Sequence, residues 1–180
     1  MTNTVPFERK RPPELDTAVQ SLSTLRNSVL SGRDGDGNRT ILADVQYAVR
    51  ATAEASLRRV ASPESNLAFQ PKVLLSLLVY CYVTGTYSSV DIEDMMRRDV
   101  TFRRLCQEEF PSARLLGRFR RENRIAVRDC VYTVLLRQAQ RRHPPDGMGD
   151  SPHLSSALSD DADGRVLKAM FIDSMQDDPD

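Results

Sequence analysis

Arg114, Arg118, Arg120 and Arg121 lie in the run Pro111-Ser-Ala-Arg-Leu-Leu-Gly-Arg-Phe-Arg-Arg-Glu-Asn123, interleaved with Leu115, Leu116 and Phe119. Guanidinium groups bind anions, and their planar fork of donors suits phosphate oxygens and guanine edges. On a helix, residues three and four apart share a face. Arg114, Arg118 and Arg121 then form one stripe, while Leu115, Leu116 and Phe119 turn toward a core. A short helix with guanidinium groups outside and leucines inside is the physical form of a DNA-recognition helix. Arg124 and Arg128 continue the basic face of Arg121, and Arg97, Arg98, Arg103 and Arg104 supply phosphate contacts from the preceding helices. With Arg120 these ten arginines make the candidate DNA-binding set. Phosphate contacts give affinity and salt dependence, and base contacts fall to Arg114 or Arg118. The competing expectation is a solvated helix face whose arginines pair with Glu122 or Asp129.

Charge segregation supports the anion-binding alternative. The 180-residue chain has zero net charge, yet residues 97–142 carry 13 arginines against 5 acids, and residues 143–180 carry 9 acids against Arg165 and Lys168. A basic middle and an acidic end point to an anionic partner for the middle. The acidic end could also fold back on the basic segment and compete with that partner.

Other chemistries find little footing. Cys81, Cys106 and Cys130 are isolated, and His143 and His153 sit in a Pro/Gly-rich stretch, so no zinc spacing exists. Scattered cysteines suit a reducing cytoplasm, the compartment expected here. Asp34-x-Asp36-x-Asn38 lacks the glycine and the final glutamate of a calcium loop, which leaves a polar turn. No nucleophile–base pair and no phosphate-binding glycine loop is visible. The longest apolar run, Val73–Val83, is shorter than the roughly 20 residues a bilayer requires. The expectation is a non-enzymatic protein without metal, cofactor or membrane partner.

The elements that would position the arginines read as helices throughout. Leu15, Ala18, Leu22, Leu25 and Val29 repeat at spacings of three and four, and Ser31–Asn38 is a glycine-rich break. A second helix then places Leu42, Val45, Val49, Ala53, Leu57 and Val60 on one face, so the first 62 residues are expected to form a hairpin. Pro71 suits a first helical position, Val73–Val83 a buried central helix, and Gly85 its end. Ser88 and Asp91 form a capping box for a helix over about 89–97. A short helix over about 100–108, the arginine helix opened by Pro111 and Ser112, and a long helix over about 124–142 follow. Ser151–Asp163 looks disordered, with one short amphipathic helix around Val166, Leu167, Met170 and Phe171.

The middle of the chain also has a pattern of its own: Pro71-Lys72, Tyr80, Gly85, Ser88-Ser89, Ile92-Glu93, Asp99-Val100, Phe102-Arg103, Pro111 and Arg118-Phe119-Arg120-Arg121. In order and spacing, residues 71–123 resemble the N-terminal domain of DDE-type insertion-sequence transposases. Two positions depart from that pattern. Ser112-Ala113 stands where the family carries Asp-His, and Leu115-Leu116 where it carries Thr-Ile or Ser-Ile. The resemblance implies binding to DNA at transposon ends. The 38 residues after Arg142 offer no scaffold for the family's ribonuclease-H-like catalytic half.

Together these readings predict an all-α, multi-helix bundle with a helix-turn-helix-like segment and a disordered acidic tail. The expected parts are a helical hairpin over 1–62, a transposase N-terminal-like DNA-binding domain over 63–143, and a flexible acidic tail over 144–180. The expected role is that of a truncated transposase or a regulator of transposition, with DNA and either the full-length transposase or a second copy as partners. The alternative is a helical protein–protein module, suggested by the Leu15–Val29 stripe.

Overall fold

The computed structural model describes residues 35–60, 69–98, 110–142 and 152–176. Their regular structure is entirely helical, and the all-α expectation holds. The order is α1 (Gly35–Ala51), a 3-10 turn (Glu54–Ser56), α2 (Pro71–Thr84), α3 (Ser89–Arg98), α4 (Ala113–Glu122), α5 (Arg124–Arg142) and α6 (Pro152–Gln176). The expected helices at Leu15–Val29 and 100–108 lie outside the described residues.

The bundle forms around α2. Its sequence, PKVLLSLLVYCYVT, is apolar on every side, and Val73 to Val83 are buried apart from Ser76. A helix apolar all round needs neighbours all round, and α1, α4, α5 and α6 supply them. Pro71 starts α2 at the position where a missing N–H costs nothing. Gly85 ends it at φ 95°, a left-handed conformation that favours glycine, with its N–H donating to the Cys81 carbonyl. Four residues later α3 leaves at 100° to α2. The Ser88 hydroxyl accepts from the Asp91 N–H at 3.3 Å, so the capping residue read from sequence caps α3.

α5 buries Val127, Cys130, Val131, Val134 and Leu135. It runs antiparallel to α1, because Thr52 meets Cys130 while Asp44 meets Arg137 and Arg141. It is antiparallel to α6 as well, since Ser155 pairs with Tyr132 and Ser159 with Arg128.

Two expectations change. Gly35–Asn38 belong to the first turn of α1 and not to a loop. The helix then ends at Ala51, before Ala53, Leu57 and Val60. Leu57 and Val60 still enter the core, from an irregular stretch instead of a helix face. The described part of residues 1–62 thus shares one hydrophobic core with the segment that follows.

The largest correction concerns the acidic end. Residues 152–176, expected as disorder plus one short helix, form a 25-residue helix packed along α5. Its inward stripe is Leu158, Ala162, Val166 and Ala169, all buried. Those residues recur at helical spacing, but two are alanines, and the surrounding Ser and Asp hide so narrow a stripe from a composition-based reading. Burying Leu158 and Val166 contributes about 1.5–3 kcal/mol each to the docking of the helix.

Candidate nucleic-acid interface

α4 is the element that presents the arginines. Ser112 caps it, its hydroxyl accepting from the Leu115 N–H at 3.4 Å. Leu115, Leu116 and Phe119 are buried, which fixes the rotation of the helix about its axis. Arg114, Arg118 and Arg121 consequently face solvent as one stripe, where the helical spacing put them. Arg118 pairs with Glu122 at 2.9 Å across one helical turn. Among the described residues, no carboxylate pairs with Arg114, Arg121 or Arg124, and all three are exposed. Arg97 and Arg98 are exposed on the last turn of α3, paired with Glu93 at 3.1 Å and Asp94 at 3.4 Å. Surface pairs of this type are worth about 0–1 kcal/mol and open readily to a stronger anion. α3 is tied to α4 by Glu93, which accepts from the Ala113 N–H at 2.7 Å. Arg103 and Arg104 lie outside the described residues.

Arg120 has to be withdrawn from the set. It is 0 % exposed, the largest fully buried side chain of the described core. Its guanidinium forms a salt bridge with Asp173 of α6 and donates to the Tyr82 hydroxyl at 2.8 Å. The reason is rotational: at about 100° per residue, Arg120 sits one step from Phe119 and beside Gly117, on the face that meets α2 and α6. Burial by itself would weaken the proton's hold on this guanidinium. The Tyr82 oxygen and the Asp173 carboxylate outweigh it and keep Arg120 charged. Burial likewise pushes the Tyr82 hydroxyl well above its usual range, so it stays neutral and accepts. Gly117 allows the approach of α6, since a Cβ there would stand 3.2 Å from Asp173 Oδ2.

Arg128 is drawn partly away from solvent. It donates to Asp163 at 3.3 Å and to Ser159 at 2.6 Å, both on α6, and to its neighbour Asp129 at 2.8 Å. Asp129 first, and then Asp163, hold its guanidinium firmly protonated.

Sequence reasoning missed the residues that lock this arrangement. Asp173 accepts from the Ser89 N–H at 2.9 Å and from the Ser89 hydroxyl, and so also caps the start of α3. Arg165, two helical turns earlier, donates to the Tyr82 and Val83 carbonyls at 2.7 and 3.2 Å, at the end of α2. A carboxylate at one helix start and a guanidinium at the preceding helix end are the favourable pairing with both helix dipoles. The only signal in the sequence was the eight-residue spacing of two opposite charges on one side of the α6 stripe. Asn123, between α4 and α5, is a third such residue. It accepts from the Arg58 N–H at 2.7 Å and donates to the Arg58 carbonyl at 3.0 Å.

Among the described residues, no group of three His, Cys, Asp or Glu side chains is placed to hold a metal ion, and no single helix is long and apolar enough to cross a membrane. Residues 38–122 match the family model described as a transposase domain (DUF772), and this segment of the chain is transposase-related. The match spans α1 to α4, and α5 and α6 lie beyond it. No curated protein and no solved structure matches the chain.

Proposed function

We propose that this transposase-related chain is a DNA-binding protein without catalytic activity of its own, acting at transposon ends as a regulator of transposition in the cytoplasm. The observation that carries the reading is the solvent face of α4. There Arg114, Arg118 and Arg121 stand in one row over a buried base of Leu115, Leu116 and Phe119. A rigid row of guanidinium groups on a capped helix suits phosphates flanking a groove, with one end free to reach base edges. The 100° turn from α2 to α3 is in the range of helix-turn-helix units. However, α3 carries Asp91, Glu93 and Asp94, so α4 is the better reading element.

The test is fluorescence anisotropy of duplex DNA against the full chain over a salt series. Binding should weaken linearly in the log–log plot, with a slope of about −0.9 for each phosphate contacted. Replacing Arg114, Arg118 and Arg121 with alanine should reduce the steepness of that slope by about 2.7. A triple variant with unchanged slope would move the site elsewhere. For the non-catalytic part, incubation of nicked and intact duplex with Mg²⁺ should leave both uncleaved and unjoined.

A second reading, a helical protein–protein module, draws on the outer face of α6. Leu167, Phe171 and Met175 recur there every four residues and remain exposed. Light scattering with and without DNA separates the two. A stable oligomer that forms equally well without DNA favours the second.

A further inference from the structure

The irregular stretch after α1 carries two arginines that neither the family resemblance nor the arginine helix had brought forward. Leu57 and Val60 are anchored in the core, and Arg58 and Arg59 between them are exposed. An unstructured connection would let such side chains wander. Here Asn123, itself buried, holds the Arg58 peptide through both of its backbone groups, at 2.7 and 3.0 Å. The same amide donates to the Phe119 carbonyl at 3.1 Å and so belongs to the end of α4. Asn123 lies between Glu122 and Arg124, with Arg121 two residues before it, and both arginines are exposed. One buried amide therefore gathers Arg58 and Arg59 at the junction of α4 and α5, where Arg121 and Arg124 flank it. The nearby acids do little to neutralise them: Glu122 is engaged by Arg118, and Glu54 reaches Arg59 only at 3.7 Å with both side chains exposed. Four exposed arginines thus rise from one backbone junction, and a local excess of positive charge of this kind attracts anions.

We propose that Arg58 and Arg59 are a second phosphate-contacting site, continuing the α4 stripe along the backbone of a bound duplex through Arg121 and Arg124. The proposal rests on the DNA-binding reading and adds to it a segment outside the arginine helix. It also assigns Asn123 a positioning role, because its amide fixes where the Arg58 peptide sits.

The experiment is the same anisotropy salt series on the full chain, with mixed-sequence duplex DNA as the probe. The variants are Arg58→Ala with Arg59→Ala, and Arg58→Lys with Arg59→Lys. Losing two phosphate contacts should reduce the steepness of the log–log slope by about 1.8, so a fourfold rise in salt costs the alanine variant about tenfold less affinity than it costs the unmodified chain. The lysine variant keeps the charge and should keep the slope. Both side chains are exposed, so unchanged melting of both variants is the expected control. If the unmodified chain binds with a steep slope and the alanine variant retains it, this site is wrong while the DNA reading survives. Absence of any salt-dependent binding by the unmodified chain overturns the DNA reading and this proposal together. A slope lost equally in the alanine and lysine variants overturns the phosphate assignment too, because charge would not be what the site contributes.

Discussion

Arg120 and Arg121 are neighbours on one helix, and the fold treats them in opposite ways. Arg121 stands in solvent with Arg114 and Arg118 and has no ion pair among the described residues. Arg120 is sealed beneath α6 against Asp173, Tyr82 and Ser89. The outer face of α4 leaves its charges in solvent, and the inner face uses one charge to hold the bundle together. A count of arginines cannot separate these uses, because rotation about the helix axis alone decides them. The comparison also sets the order in which substitutions should hurt. Changes at the inner face should cost stability, and changes at the outer face should cost binding.

The sharpest break of the comparison is Asp173→Ala. It strands the Arg120 guanidinium in the core and uncaps Ser89 at the start of α3. Removing one partner of a buried pair costs about 3–5 kcal/mol. Denaturant unfolding followed by circular dichroism should show a loss of that size. A loss below about 1 kcal/mol would mean that Arg120 finds water. Replacing both partners with apolar residues, Arg120→Met with Asp173→Leu, should recover much of the loss, because no charge is then left unpaired. Deleting α6 altogether is expected to be worse than either, since it also uncovers the faces that pack on Leu158, Val166 and Ala169.

Much of this was open to a reading of the sequence, and what stayed hidden has a common physical reason. The α2 start at Pro71, its end at Gly85, the caps at Ser88 and Ser112 and the span of α5 are local events. Each depends on residues a few positions apart, and the sequence states them directly. The outward stripe of α4 follows from periodicity in the same way. Arg120 was legible only in part: the wheel put it off the stripe, but no local rule names a carboxylate 53 residues away. α6 was hidden because its apolar stripe is narrow and rich in alanine, so its docking is visible only once α5 presents a matching face. The junction at Asn123 belongs with these, as a pairing across 65 residues.

Asp44 gives an intermediate case between the two faces. It is buried in α1, yet its partners Arg137 and Arg141 on α5 are partly exposed. Burial alone would raise its carboxyl, but the hydrogen bonds and charges of Arg141 and Arg137 outweigh this and hold it below its usual value. A lowered folded-state value means stability that is fully present above the unfolded value of about 3.9 and lost as the pH falls through the folded one. Asp44→Asn should cost about 1.5–3 kcal/mol near neutral pH, less than Asp173→Ala, since both arginines can turn to water. The gap between variant and unmodified chain should begin to narrow below about pH 3.9 and close only once the pH has fallen through the lower folded-state value. A gap that persists there would assign the cost to packing and not to charge.

Gly117→Ala probes the inner face more gently. Alanine raises helix propensity by about 1 kcal/mol over glycine. Against that gain, the new Cβ meets Asp173 Oδ2 at 3.2 Å, and this carboxylate is held by Arg120 and by both groups of Ser89. A carboxylate bonded on that many sides yields poorly, so the expected result is a small net loss, under about 1 kcal/mol. A net gain of that size would show α6 free to shift outward, and the inner face would then be a softer contact than its hydrogen bonds suggest.

The smallest effect on folding should come from the outer face. Arg114→Ala, Arg118→Ala and Arg121→Ala each remove an exposed side chain, and only Arg118 gives up an ion pair, an exposed one with Glu122. Surface changes of this sort stay within about 0.5 kcal/mol. Alanine also favours the helix slightly over arginine, which offsets the lost pair. Thermal melts of the three single variants should therefore overlay that of the unmodified chain, while their DNA titrations diverge from it. Melting that drops as far as in Asp173→Ala would mean that the stripe also helps hold the fold, and the division between the two faces of α4 would fail. Unaltered melting together with lost salt-dependent binding is the result that only a surface kept for a partner predicts.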